Sequence, residues 1–378
     1  MRASLRAIAL LVVPALAACQ QPPSEIYVAP GADAGPFPWE DAGPGKPDGA
    51  PRDAGGDATG DAGGGAPDAD PPVPGTFSII ALPDTQYYSL AYPEIFDAQA
   101  RWIVEEHQIG NVAFVLTLGD IVDNDVPEQW ANASHSLHML DGVVPYVVVA
   151  GNHDYYGAGW TQNRETMIDT YFPVATFAST PSFRSTFEPD RIANHYQVFE
   201  VPSAGGSPIK DKWLVLSLEF GPRDEVLAWA DAIVKQYAPI PAMIVTHAYL
   251  YDDNTRYDNV LRPEQNWSPY DYPIGATPGA VNDGEQMFQK LVLPNSNIRF
   301  VFCGHVINDG VGRLTSARPD GSVVHQVLAD YQIYASGGNG FLRVMQFFPD
   351  EHVVHIRTYS PFTDTFITDS ENDFILEY

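Results

Sequence analysis

Six short runs of β-branched and aromatic residues stand out between positions 77 and 302. They are Phe77–Leu82, Val112–Leu118, Tyr146–Ala150, Trp213–Leu218, Ala242–Val245 and Ile298–Phe302. Apolar runs of this length predict buried strands. The intervals between them carry a helical spacing instead. Ile95, Ala98, Trp102, Ile103 and His107 share one face, and Val226, Ala228, Trp229, Ile233 and Val234 mark another that opens after Pro222-Arg223-Asp224. Strands alternating with helices predict an α/β core with parallel strands. Beyond His305 the runs Val323–Tyr331, Phe341–Phe348 and Val353–Tyr359 follow one another without helices, which predicts a second, more antiparallel sheet. Residues 155–212 are rich in aromatic, Thr and Ser residues and carry no pattern that resolves into elements.

The first 75 residues read differently. Arg2 and Arg6 precede an apolar run, Ala7 to Ala18, in the order of a secretory signal. The run is shorter than the ~20 residues a bilayer-spanning helix needs. Leu16-Ala17-Ala18-Cys19 resembles the lipobox of bacterial lipoproteins, which implies a diacylated Cys19 at the mature N-terminus. An ordinary signal with an incidental cysteine is the competing reading. Of residues 20–75, 34 are Gly, Pro or Ala, and ten are acidic against two basic. Such a segment has too few large apolar groups to offset the entropy of ordering, and is expected to be an extended tether. The expected organisation is a signal over 1–18, a lipidated cysteine and disordered tether over 19–75, and one folded domain over 76–378. The expected location is the bacterial cell envelope, with membrane contact through the lipid only. Gln20 after Cys19 favours the outer membrane.

Charge narrows the function classes. The chain has 48 acidic and 20 basic residues, a net charge of −28. That balance argues against gripping a nucleic-acid backbone, where basic residues supply most of the affinity, and against recruitment to anionic lipid. It leaves anionic substrates open, because bound metal ions invert a local field. Cys19 and Cys303 are the two cysteines, so no disulfide framework is expected. Cys303, beside Phe300, Val301 and Phe302, reads as a buried strand residue without a redox role. The domain is expected to be a monomer.

Candidate chemistry sits where strands end, the usual place for ligands in open α/β sheets. One strand run ends at Pro83-Asp84-Thr85-Gln86 and another at Gly119-Asp120-Ile121-Val122-Asp123-Asn124. Others end at Gly151-Asn152-His153-Asp154, Thr246-His247 and Gly304-His305. A single Asp or Asn after a strand is ordinarily a turn former. Five such endings, each behind an apolar run, point to a metal site, with glycines 119, 151 and 304 letting the backbones converge.

This ordered set resembles the calcineurin-like metallophosphoesterase superfamily over about residues 77–308. The PDTQ first motif, with the ADYQ stretch at 329–332 and Gly337-Gly338-Asn339-Gly340, is similar to a bacterial branch of it. The resemblance implies an α/β fold of four layers, an α/β/β/α sandwich with two facing sheets. It implies two divalent ions (Mn, Fe, Zn or Mg) bridged by Asp120. One ion is expected to take Asp120, Asn152, His247 and His305, and the other Asp84, Asp120 and Gln86. His153 is expected as the general acid, Asp154 as its orienting partner, and Asp123 as a brace for the Asp120 loop. The implied reaction is hydrolysis of a phosphomonoester or phosphodiester by a metal-bridging hydroxide. Two departures fall on one metal site: Gln86 stands where the pattern has His, and Ile307 where Gly-His-x-His has its second His. An all-oxygen site is expected to be the weaker one and to favour harder ions such as Mn or Mg. The alternative is a degenerate binding or scaffold lipoprotein without turnover. Retention of Asp120, Asn152, His305 and His153 favours the enzyme.

The remaining candidates weigh less. His135 and His138 read as structural, His107 as complementing a helix C-terminus, and His355 as a partly buried core residue. His195 is kept as a candidate substrate contact. Tyr87, Tyr88, Tyr155, Tyr156, Trp160, Tyr249 and Tyr251 either pack the rim or line a substrate wall. Arg223 reads as opening a helix rather than binding phosphate.

Overall fold

The computed structural model describes residues 75–109, 111–203 and 211–378. The expected signal, Cys19 and the tether lie outside the described residues. Two seven-stranded sheets form the domain. The first runs β13 (Thr365–Ile367), β12 (Val353–Ser360), β11 (Leu342–Phe348), β1 (Phe77–Leu82), β2 (Val112–Thr117) and β3 (Tyr146–Val147), with β14 (Asp373–Glu377) also on β12. The second runs β4 (Phe183–Thr186), β5 (His195–Val201), β6 (Asp211–Ser217), β7 (Ala242–Val245), β8 (Ile298–Cys303), β10 (Val323–Ala329) and β9 (Val311–Ala317). Strands β1–β2–β3 are parallel, as are β6–β7–β8–β10.

Alternation along the strands builds the layers. Phe77, Ile79 and Ala81 of β1 join Trp213 and Val215 of β6, Met243 of β7 and Phe300 of β8 in one core between the sheets. Across that core Phe114 lies 4.5 Å from Phe199, and Trp213 lies 5.6 Å from Phe347, centroid to centroid. Ile80 and Leu82 face the other way, into a core shared with the helices. Helix α1 (Gln86–Ala91) follows β1 directly, and α2 (Pro93–Ile109) and α3 (Pro127–Leu137) supply Ile95, Phe96, Ile103, Trp130 and Leu137. Short helices α4 (Ile168–Tyr171) and α5 (Val174–Ala178) precede β4, and α6 (Asp224–Tyr237) packs beside β6. The four-layer sandwich follows. Proline at the start of α2 suits the first helical turn, and acidic Asp224 and Glu225 suit the positive end of α6.

The expected separate late sheet does not form. β10 joins the second sheet parallel to β8, and β11 lies antiparallel to β1 in the first, with Ile80 opposite Val344. The reason is in β11 itself. Leu342, Arg343, Val344 and Met345 are buried in succession, so both faces of the strand need cover, and an interior position in an existing sheet supplies it. The described residues of 155–212, where the sequence printed no pattern, form α4, α5, β4, β5 and the start of β6, elements mostly too short to print a period.

Candidate metal centre

Four lone pairs converge between the two sheets. His247 Nδ1 donates to the Leu118 carbonyl at 2.8 Å, which turns the Nε2 lone pair inward. That Nε2 lies 3.1 Å from Asp120 Oδ2, 3.2 Å from Asn152 Oδ1 and 3.1 Å from His305 Nδ1. His305 Nε2 donates to the Trp267 carbonyl at 2.8 Å, and Asn152 Nδ2 to the Gly159 carbonyl at 3.0 Å. Each side chain is therefore held from behind, in the tautomer or rotamer that presents an acceptor to the centre. Ligand atoms of Asp120, His247 and His305 all lie within 4.8 Å of one another, and all three residues are buried. Acceptors meeting acceptors in a buried space fit a divalent cation, and the backbone tethers are the outer support that imidazole ligands ordinarily have. The two imidazoles suit a transition metal.

The electrostatics agree for Asp120 and His305 and run the other way for His247. Burial acts to raise Asp120, but His247 and His153 outweigh it and hold the carboxyl below the usual range. Burial and neighbouring His247 push His305 down to about 3, which keeps the ring neutral. Burial lowers His247, and Asp120 more than reverses it.

Beside this cluster lies the second predicted group. Asp84 is buried, and its Oδ2 accepts from the His305 amide at 3.0 Å. Gln86 Nε2 donates to Asp123 Oδ1 at 3.4 Å, leaving Oε1 without a partner, as is Asp84 Oδ1. Burial, Asp330 and Asp120 raise Asp84 well above the carboxylate range. Orphaned buried oxygens next to a carboxylate pair fit a hard cation. Asn308 is exposed and turned to the Tyr251 hydroxyl at 3.5 Å, so it does not replace the imidazole absent at Ile307.

Backbone strain concentrates here. Asp84, Asp120 and His305 have φ of 27°, 45° and 83°, the left-handed region that L-residues seldom adopt. All three glycines are required by contact, and a Cβ at Gly119 would collide with the His247 ring. A Cβ at Gly151 would collide with Asp120, and one at Gly304 with Asp84 Oδ1.

One expected partnership is different. Asp154 does not hold His153; its carboxylate accepts from the Val122 amide at 2.9 Å and the Gly151 amide at 2.8 Å. His153 Nδ1 is held by the Asp123 carbonyl at 2.7 Å, with the Asp123 carboxylate 3.7 Å away. The two acids thus exchange parts. Asp154, fully buried behind the chain turn, is placed to receive amides, whereas Asp123 follows the Asp120 loop outward to the ring. Asp123 also accepts from Gln86 and Asn124.

His195 is no substrate contact. It is fully buried beside Phe177 and Phe183, its Nδ1 donates to the Ile192 carbonyl at 2.7 Å, and burial pushes it down to about 4. The aromatic pairs divide. Tyr88, Tyr155 and Tyr249 are core, while Tyr156 and Trp160 are more than half exposed. Trp160 leans on Tyr272, which in turn faces His305, a line of rings from solvent to ligand. Arg223 pairs with Glu219 at 2.9 Å, as its structural reading required. Cys303 ends β8 fully buried, its thiol pushed up to about 12.

Sequence reasoning missed Trp267, Tyr272 and Asp330. The first two sit in the irregular stretch between β7 and β8, where no period marks them. Asp330 did carry a signal, since it follows β10 as Asp84 follows β1.

A family model described as calcineurin-like phosphoesterase matches residues 77–309. Uncharacterized protein YvnB of Bacillus subtilis (strain 168) is 32% identical over 307 residues, covering 78% of this chain and 21% of its own length. The chain thus spans about a fifth of that relative. Among solved structures, purple acid phosphatase PPD1 from yellow lupin (Lupinus luteus) seeds is 12% identical with a TM-score of 0.43, over 81% of this chain and 55% of that one. GAP50, the anchor in the inner membrane complex of Plasmodium, is 12% identical with a TM-score of 0.42, over 80% of this chain and 90% of that one.

Proposed function

The chain belongs to the calcineurin-like phosphoesterase family, and from that premise we propose that it hydrolyses a phosphomonoester or phosphodiester at a centre of two divalent ions. The observation that carries this reading is the convergence of four rear-tethered acceptors, Asp120, Asn152, His247 and His305, beside the orphaned oxygens of Asp84 and Gln86. The first four would hold one ion, and Asp84, Gln86 and Asp120 the other. Two ions so held would supply positive charge for the phosphoryl oxygens and would lower the pKa of water towards neutrality.

The chain's own groups do the rest. Asp120 turns Oδ2 to His247 while Oδ1 accepts the His153 amide at 2.9 Å, so one carboxylate fixes both the ligand cluster and the acid's backbone. The His153 side chain is 27% exposed, whereas His247 and His305 are buried; it is the imidazole of the site that a leaving group reaches. With Nδ1 held at the Asp123 carbonyl, a protonated His153 presents Nε2–H to the departing ester oxygen. The exposed faces of Tyr156 and Trp160 offer apolar area to the organic part of the substrate. The same reading takes Cys19 as lipidated and the domain as working in the cell envelope.

The test is hydrolysis of bis-p-nitrophenyl phosphate and p-nitrophenyl phosphate by the purified full chain, stripped of metal and then titrated with Mn, Mg and Zn. Turnover that needs metal and disappears in Asp120→Asn supports the enzyme. Metal binding without turnover of any phosphate ester supports the binding lipoprotein instead.

A further inference from the structure

The motif Asp-x-Gln occurs twice at strand ends: β1 runs into Asp84-Thr85-Gln86, and β10 runs into Asp330-Tyr331-Gln332. The fold brings the two acids together. Both are 1% exposed, and the parallel register that sets Leu328 opposite Cys303 carries Asp330 alongside His305, whose amide donates to Asp84. Each carboxylate spends one oxygen on a backbone amide, Asp84 Oδ2 on His305 and Asp330 Oδ1 on Gln332 at 2.9 Å. The other oxygens, Asp84 Oδ1 and Asp330 Oδ2, have no donor. Asp330 is also anchored through its amide, which donates to the Gly310 carbonyl at 2.7 Å.

Buried carboxylates placed side by side without a donor are among the costliest arrangements in a protein. Among the described residues no lysine or arginine forms an ion pair with Asp84, Asp120 or Asp330; the ion-pair partner of Asp120 is His247. A cation resolves all of this at once, and the site is short of ligands where Gln86 and Ile307 stand.

We propose that Asp330 is a ligand of the second ion, in place of the imidazoles that site lacks. The set becomes Asp84, Gln86, Asp120 and Asp330, all oxygen, which suits Mn or Mg rather than zinc. The proposal rests on the two-ion reading above. It makes the second site more negative than the three expected ligands alone would.

The experiment counts ions rather than turnover. The full chain is stripped with chelator and titrated with Mn, reading bound metal per chain and melting temperature, for wild type and Asp330→Asn. The wild type is expected to bind two ions. Asp330→Asn is expected to keep the tight one and to lose the other, or to weaken it beyond the about 100-fold that an outer support costs at most. Without metal the variant should melt no lower than wild type, since a buried like charge is gone. Mn should then raise its melting temperature less than that of wild type. Asp330→Ser, whose hydroxyl still accepts from the Gln332 amide, takes its place if the Asn variant does not fold. Two Mn per chain at wild-type affinity in the variant overturns the proposal alone. One Mn per chain in the wild type overturns the two-ion reading, and this proposal with it.

Discussion

Asp154 gives the sharpest test of how the site is held. Its carboxylate receives two buried amides, Val122 and Gly151, at 2.9 and 2.8 Å. These amides flank the loops that carry Asp120 and Asn152. Asp154→Ala leaves both donors unpaired at a residue with no exposed surface. Each orphaned donor costs about 1–3 kcal/mol, so the substitution is worth about 2–6 kcal/mol. Loss of a buried charge works in the opposite direction, because burial and the Asp120 charge already hold Asp154 up to about 7. The lower half of that range is therefore expected. Urea denaturation of the metal-free protein measures it, and Asp154→Asn, which keeps one acceptor oxygen, should fall between alanine and wild type. Mn affinity should weaken in parallel. An unchanged urea midpoint in Asp154→Ala, with an altered pH profile of turnover, would refute the bracing role and return Asp154 to His153.

Three further outcomes are expected. Gly304→Ala drives a Cβ into Asp84 Oδ1 while the His305 amide pins the other oxygen; an ångström of misplacement costs about 100-fold, so turnover should fall by that order, read as kcat/KM with the phosphodiester probe. His195 titrates near 4 folded against 6.5 unfolded, so the unfolded chain binds more protons between those values. Its contribution to stability is complete above pH 6.5 and is lost as pH falls, by about 2 kcal/mol between pH 7.5 and 5. Denaturant midpoints should show that slope flattened in His195→Gln, and an equal slope in both proteins would contradict the burial account. Cells fed labelled palmitate should incorporate it into the wild-type chain and not into Cys19→Ala.

Much of this architecture is readable in the chain because its strands are short, apolar and abruptly ended. Phe77–Leu82 and Ala242–Val245 have the same bounds in sequence and structure, since Pro83, which cannot donate to a ladder, follows the first run and polar Thr246 the second. Tyr146–Ala150 overran, because Val148, Val149 and Ala150 are fully buried yet lie beyond the ladder of β3. Apolarity reports burial and not hydrogen bonding. The late strands show a different limit: their type is plain, but membership of a sheet depends on contacts some 260 residues apart, such as Ile80 with Val344. At the site, side-chain ligands follow strands and carry motifs, whereas the supports of His247, His305 and Asn152 are carbonyls of Leu118, Trp267 and Gly159. A carbonyl belongs to every residue, so no sequence pattern singles these out. The exchange of parts between Asp123 and Asp154 has the same origin, because each lies within four residues of Asp120 or His153 and only the turn decides which way it faces.

The most direct measurement is anomalous diffraction from crystals of the chain soaked in Mn. Two peaks that share Asp120 are expected, one among Asn152, His247 and His305 and the other beside Asp84 and Gln86. A single peak at the histidines, with the Asp84 side empty at saturating Mn, would contradict the two-ion centre.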